Sequence, residues 1–368
     1  MALDADVLIV GGGPAGLAAA IACRARGFRV LAVDGGKPPI TKACGEGLLP
    51  DAVAALGELG VVLREADGFA LRGIRFEDAG RSVSACFPGR NGIGVRRETL
   101  HERMIERARD CGASLMWNTP VTGLREEGVV AGANKIRARW VIGADGSRSR
   151  VRRWSGMESF RLPASRFAVR RHYRVEPWTD FTEVHWGKAV QAYVTPVSAQ
   201  EICVVQISNE PNSRFDGNLG GFCKLIDRLR GAEQASTERG AVTSMFELKH
   251  VVRGNVALIG DASGSVDAIT GEGLSLSFRQ AIVLAGALAT GDLKRYQEAH
   301  RRLFQRPRHV GNLLLFLGRQ DALRKRTVRA LEAAPRLFER MLAYHLGDTR
   351  PLQLAASGAH FGWRFLTA

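Results

Sequence analysis

The chain has little of what secreted, metal-binding or membrane-spanning proteins are built from. Its six cysteines, at positions 23, 44, 86, 111, 203 and 223, form no CxxC pair and no secreted spacing pattern, so they read as reduced thiols. Its eight histidines show no metal-ligand spacing, and no metal is expected. No apolar run reaches membrane-spanning length, and the N-terminal one is broken by glycines and lacks a basic leader; a cytoplasmic location is expected. Internal repeats and low-complexity tracts are absent. Acid is in deficit, with 37 Asp and Glu against 52 Lys and Arg and a net charge of +15. No nucleic-acid-binding motif or aromatic interleaving accompanies that charge, so no nucleic-acid partner is expected. The excess reads as a basic solvated surface, compatible with an acidic carrier or a peripheral contact on an anionic membrane.

Glycine, by contrast, is plentiful and placed. Residues 7–34 read VLIVGGGPAGLAAAIACRARGFRVLAVD: an apolar β-branched run, a glycine turn, a small-residue helix, a second apolar run and a terminal acid. This order is the dinucleotide-binding fingerprint, with Gly11 for the turn, Gly13 for close approach of a pyrophosphate and Gly16 for helix-on-strand packing. Pro14 and Ala15 open the helix, whose N-terminal amides suit phosphate. Asp34 lies 18 residues after Gly16, where a carboxylate can accept from ribose hydroxyls.

Further along, residues 51–60 and Arg97 to Cys111 carry helical patterns, the latter with Leu100, Met104, Ile105 and Ala108 on one stripe. Strands are expected between Phe69 and Gly94, near Ser114 to Trp117, at Val121 to Leu124 and at Ala138 to Ala144. Residues 166–208 are the most strand-like block and predict an antiparallel sheet, with an apolar face from Phe167, Tyr193, Val205 and Ile207. His172, Tyr173, His185 and Trp186 read first as half-exposed sheet positions, and Glu46 as either a cofactor-loop acid or a solvated side chain. The segment 291–345 is helical and basic, and its run Leu313 to Leu317 predicts a buried helix. Residues 217–221 (GNLGG) follow no strand–helix unit, so a single full fingerprint is present.

A second glycine motif lies at Asn255 to Ala281, NVALIGDASGSVDAITGEGLSLSFRQA. A buried strand delivers Gly260 and Asp261, and Gly271-Glu272-Gly273 starts a second helix. A carboxylate at a strand end can hold a polyol, and a helix N-terminus can stabilise charge on a reduced ring, a pairing that suits FAD. The sequence resembles the FAD-dependent superfamily of para-hydroxybenzoate hydroxylase-type monooxygenases, flavin-dependent halogenases and geranylgeranyl reductases. The likeness rests on Gly11 to Gly16 with Asp34, on Arg97 with Leu100 and Met104, on Val141 to Ser149 around Asp145-Gly146, and on Gly260-Asp261. Lys42 to Leu48 (KACGEGL) and the Gly-Asp-Ala…Thr-Gly-Glu-Gly pattern are similar to the geranylgeranyl reductase branch. The Trp- and Phe-containing substrate motif of archaeal prenyl reductases is replaced here by Ala192 to Val197 (AYVTPV).

The resemblance implies an α/β fold: a Rossmann-like, glutathione reductase-type FAD-binding domain (βαβ with a three-layer ββα arrangement), an inserted antiparallel substrate sheet and C-terminal helices. Its boundaries are expected at 1–75, 97–160 and 250–290 for the FAD domain, 76–96 and 161–249 for the substrate domain, and 291–368 for the helical region. It implies non-covalent FAD, with NAD(P)H as a transient reductant. Cofactor contacts are expected from Gly11, Gly13, Pro14, Ala15, Gly16, Asp34, Cys44, Gly45, Arg97, the Val121 backbone, Asp145, Gly260, Asp261, Gly271 and Gly273. Tyr193, Pro196 and His185 are the substrate candidates, and Cys44 is the candidate proton donor or redox relay. The expected activity is hydroxylation of an apolar aromatic or polyketide-like molecule through a flavin hydroperoxide. The alternatives are reduction of an olefinic or isoprenoid substrate, or flavin binding without turnover while docked on an acidic partner. The chain is expected as a monomer or dimer.

Overall fold

The first apolar run forms the strand Ala5–Val10, whose Val7, Leu8 and Ile9 are fully buried. It pairs in parallel with Val30–Val33 on one side and with Asn134–Gly143 on the other. The order across this sheet is Val252–Arg253, Val256–Leu258, Asn134–Gly143, Ala5–Val10, Val30–Val33, Ser114–Met116. Strands buried on both faces read as continuous apolar runs, which is why these segments stand out in the sequence. A meander of Val121–Arg125 and Gly128–Ala131 extends antiparallel from Asn134–Gly143. The structure, a computed structural model, describes residues 3–158, 165–187, 190–211 and 221–348. Of the glycine segment 217–221 only Gly221 is among them, and residues 349–368 of the expected helical region lie outside them.

The helices are α1 (Pro14–Arg24), α2 (Pro50–Glu58), α3 (Arg97–Asp110), α4 (Arg150–Trp154), α5 (Cys223–Leu229), α6 (Gly273–Ala289), α7 (Leu293–Arg319), α8 (Asp321–Ala333) and α9 (Pro335–Leu346). In α1 the side chains from Leu17 to Cys23 are buried against the parallel sheet and α6. The Leu100, Met104, Ile105 and Ala108 stripe of α3 is buried in the same core.

The second large sheet runs Glu233–Gln234, Arg166–Arg174, Glu201–Ser208, Val190–Ser198, Phe181–Trp186, Gly73–Asp78, Arg81–Cys86. Arg239–Thr243 also pairs with Arg166–Arg174. The strand Gly73–Asp78 joins in parallel with Phe181–Trp186, tying the early hairpin to the later block. A small sheet of Gly47–Leu48, Gly92–Val95 and Gly68–Leu71 packs against Val190–Ser198 of the second large sheet. One face of the second sheet is covered by a cluster that includes Phe76, Trp186, Val328, Leu331, Phe338 and Leu342.

Residues 313–317 do lie in a helix, but the expectation that this run is buried is corrected. Leu313 and Phe316 are 47% and 52% exposed, and Leu314, Leu315 and Leu317 are half-buried. The helix is seated through Gly311 and Gly318, with Leu314 packed against the sheet cluster between them, so Leu313 and Phe316 fall on the outward face. No helix among the described residues is long and apolar enough to cross a membrane.

Candidate active site

The site is a cavity of about 600 Å³ between the parallel sheet and the antiparallel sheet. Its lower wall is glycine and helix N-termini. Gly11 has φ +115°, and a Cβ there would sit 2.3 Å from the Ala144 carbonyl oxygen. A Cβ on Gly16 would lie 1.8 Å from the Gly11 carbonyl oxygen, so α1 can approach the turn only with glycine at that position. Gly13 is different: its φ is −72°, and a Cβ would meet no atom within 4 Å. The open space above Gly13 belongs to the cavity, as do Pro14 and Ala15.

Asp34 lines the same end, and its carboxylate accepts from the Gly12 and Gly36 amides at 2.6 Å each. Each oxygen retains a further lone pair for a ribose hydroxyl. His101, which no motif marked, holds this turn from behind. The Ile40 amide donates to its Nδ1 at 3.3 Å, so its Nε2 donates to the Gly12 carbonyl, 2.8 Å away. Burial holds its pKa below the ordinary imidazole value, consistent with that neutral tautomer. Val121 lines the adjoining wall.

At the other end, Gly271 (φ +69°) turns the chain into α6, and Gly273, Gly271 and Glu272 line the cavity. Asp261 lines it too and forms a 2.6 Å ion pair with Lys42 across 219 residues. Gly260 and Gly16 stand just behind the wall; Gly260 packs at φ +57° against Ala15. Asp145 lines the cavity, but its carboxylate caps α4: it accepts from Ser149 Oγ at 2.5 Å and from the Arg150 amide at 2.7 Å. Arg97 enters from the start of α3, and its buried Nε has no hydrogen-bond partner.

The loop from Lys42 to Leu48 forms one side of the cavity and contributes Cys44 and Gly45. Cys44 is half-buried; its Sγ accepts from the Glu46 amide at 3.5 Å. Glu46 is neither solvated nor free. At φ +59° and 2% exposure, its carboxylate meets Arg170 at 2.5 Å and His172 Nε2 at 2.7 Å, and accepts from the Arg97 amide at 3.1 Å. His172 in turn reaches Ser236 Oγ at 2.8 Å. Glu46, His172 and Cys203 bring donor atoms within 4.8 Å of one another, and the Arg170 guanidinium already supplies the compensating positive charge there.

The upper wall is largely apolar, with Leu71, Ile74, Ala168, Val184, Val205 and Ile207 beside Thr182 and Thr195. Tyr193 also lines it; its hydroxyl donates to Gln191 at 2.9 Å, and Arg166 spans Gln191 and Asp267 at 2.6 and 2.7 Å. Three expectations are corrected here by strand alternation. Thr182 and Val184 face the cavity, so His185 points to the reverse face, against Phe222 and 3.0 Å from Glu183. Tyr193 and Thr195 face the cavity, so Pro196 does not; its carbonyl instead lies beneath Gly94. Ala168 lines the wall, and its neighbour Phe167 points away. His172 and Tyr173, read as half-exposed, are buried because both sheet faces are covered.

These residues fit an FAD. The cavity runs from the Asp34 end to the α6 N-terminus, with Cβ-free openings at Gly13, Gly45 and Gly273 and an unpartnered guanidinium nitrogen on Arg97. A bulky, partly anionic ligand would fill the first and satisfy the second.

Comparisons agree. The family described as "FAD binding domain" matches residues 4–293. A menaquinone reductase of Mycobacterium tuberculosis is 29% identical over 345 residues, covering 85% of each chain. A digeranylgeranylglycerophospholipid reductase of Thermoplasma acidophilum is 26% identical over 349 residues, covering 83% of this chain and 85% of the relative. Among solved structures, a flavin-dependent brominase superposes with a TM-score of 0.81 at 19% identity, covering 93% of each chain, a likeness of fold.

Proposed function

The chain belongs to the FAD-binding-domain family, and from that premise we propose that it is a reductase that saturates an olefinic bond in an apolar, isoprenoid-type substrate. The coarser class, an FAD-dependent oxidoreductase, follows from the membership itself. The observation that carries the finer reading is the apolar upper wall: its hydrocarbon side chains face the cavity, and the Tyr193 hydroxyl among them is already donated to Gln191. A wall of this kind suits a hydrocarbon chain better than a polar ring, and the reductase names of the two curated relatives point the same way.

The protein's own part divides by location. Gly13, Pro14 and the α1 amides would hold the pyrophosphate, Asp34 the ribose and Asp261 the ribityl chain. The N-terminus of α6 would face the ring, where its dipole favours negative charge. When bound, FAD supplies the two-electron step, drawing on NAD(P)H as a transient reductant. The apolar wall excludes water and aligns the double bond. Cys44, on the loop beside the ring site, would deliver from Sγ the proton that completes the addition of two hydrogens.

Hydroxylation is the second reading, because the same dry enclosure is what oxygen chemistry also requires. One assay separates them. Holoenzyme reduced without oxygen and given an isoprenoid olefin should yield a product that has gained hydrogen only. A product formed solely in air and carrying an atom from labelled oxygen would overturn the reductase reading.

A further inference from the structure

Five large apolar side chains are exposed among the described residues: Leu3, Val62, Val242, Leu313 and Phe316. The last three belong to one region. Val242 lines the cavity and is 39% exposed, so it marks an opening. Three residues on, Met245 comes within 3.7 Å of a Cβ placed on Gly311 of α7, which also lies 3.2 Å from Thr270 of the cavity wall. Seven residues further along α7, Gly318 lies against Gln191, the partner of Tyr193. One face of α7 therefore backs the cavity beside its opening, and Leu313 and Phe316 project from it into solvent.

The free charge that follows them in the chain has one sign. Arg319, Lys325, Arg326, Arg329 and Arg336 are exposed and, among the described residues, have no ion-pair partner. The acids of the same stretch are largely engaged: Asp321 pairs with Arg324 and Glu332 with Arg81. An exposed leucine and phenylalanine on α7, followed by exposed cations on α7, α8 and α9, is the composition of an interfacial membrane contact.

We propose that α7 and α8 dock the protein on an anionic lipid bilayer. Leu313 and Phe316 enter the acyl region, the cations lie over the headgroups, and an apolar substrate passes from the bilayer past Val242 into the cavity. The inference rests on the reading of the substrate as an isoprenoid-type hydrocarbon.

The test is co-sedimentation of FAD-loaded, full-length protein with phosphatidylcholine vesicles, with and without phosphatidylglycerol. The wild type should pellet with the anionic vesicles and be released by salt. The Leu313→Ser/Phe316→Ser double variant should bind at least about tenfold more weakly, and Lys325→Glu/Arg326→Glu/Arg329→Glu should lose the preference for anionic lipid. Both variants should keep the flavin spectrum and the melting temperature of the wild type. No pelleting of the wild type, or undiminished pelleting of the serine variant, would overturn the docking surface. Reduction of a detergent-solubilised olefin is measured in parallel. Protein that reduces it but ignores vesicles refutes docking alone, whereas protein that binds vesicles and reduces no olefin refutes the substrate reading alone.

Discussion

Glu272 shows how competing effects are decided at a single side chain. It precedes the N-terminus of α6, where the helix dipole and Arg306 and Arg279 nearby favour a carboxylate. Burial outweighs them, with Asp51 adding to it, and the carboxyl is pushed up to about 8 from 4.5. One of its oxygens has no hydrogen-bond partner. A neutral Glu272 would leave the positive end of α6 free for a negatively charged group in the cavity. The folded protein then keeps a proton that the unfolded chain loses above about pH 4.5, so this group should erode stability as pH rises through the window up to about 8. Glu272→Gln keeps the shape and removes the titration. In urea unfolding at a series of pH values, the variant should gain on the wild type as pH rises from 5 to 8; parallel pH profiles would contradict the assignment. None of this was legible in the sequence, where Glu272 reads only as the middle of Gly-Glu-Gly. The same holds for Glu46, whose partners Arg170 and His172 are more than a hundred residues away.

Among the elements, those with a strong local signal were legible. The strand, turn and helix around Gly11 declare themselves because each glycine answers a steric demand set within about thirty residues. Gly11→Ala would force a Cβ to 2.3 Å from the Ala144 oxygen at φ +115°. It should cost about 2 kcal/mol or more in urea unfolding, and a cost near zero would mean that the turn can relax. The helix α3 was readable from its apolar stripe, and α1 and α6 from the glycine motifs that open them. What failed was the choice of face in the antiparallel sheet. Period-two alternation shows which residues share a face but not which face meets the cavity when both are buried, as His185, Pro196 and Phe167 illustrate. The misreading of Leu313 to Leu317 has a related cause: an apolar run reports hydrophobicity, and the exposed side is set by where Gly311 and Gly318 seat the helix.

Across the whole molecule, the motifs carried the resemblance that implied the fold class, but the fastening between layers was not legible in them. Arg324 of α8 forms a buried pair with Asp78 at 2.9 and 3.2 Å, across 246 residues, and so clamps the C-terminal helices to the antiparallel sheet. Asp78→Ala would leave that buried guanidinium with only the exposed Asp321 as counter-charge, which should lower stability by about 3 kcal/mol in urea unfolding; a change no larger than that of a surface substitution would show that the pair is not a fastening. The cofactor site depends on space kept clear of side chains, and Gly13 offers the most direct test. At φ −72°, with no atom beyond its chain neighbours within 4 Å of the point where a Cβ would stand, the apoprotein has room for an alanine there. Fluorescence titration with FAD should show that Gly13→Ala binds at least about tenfold more weakly than the wild type, while its apoprotein is no less stable than the wild type by more than about 0.5 kcal/mol. Equal FAD affinity in the two proteins would contradict the placement of the cofactor along the glycine wall.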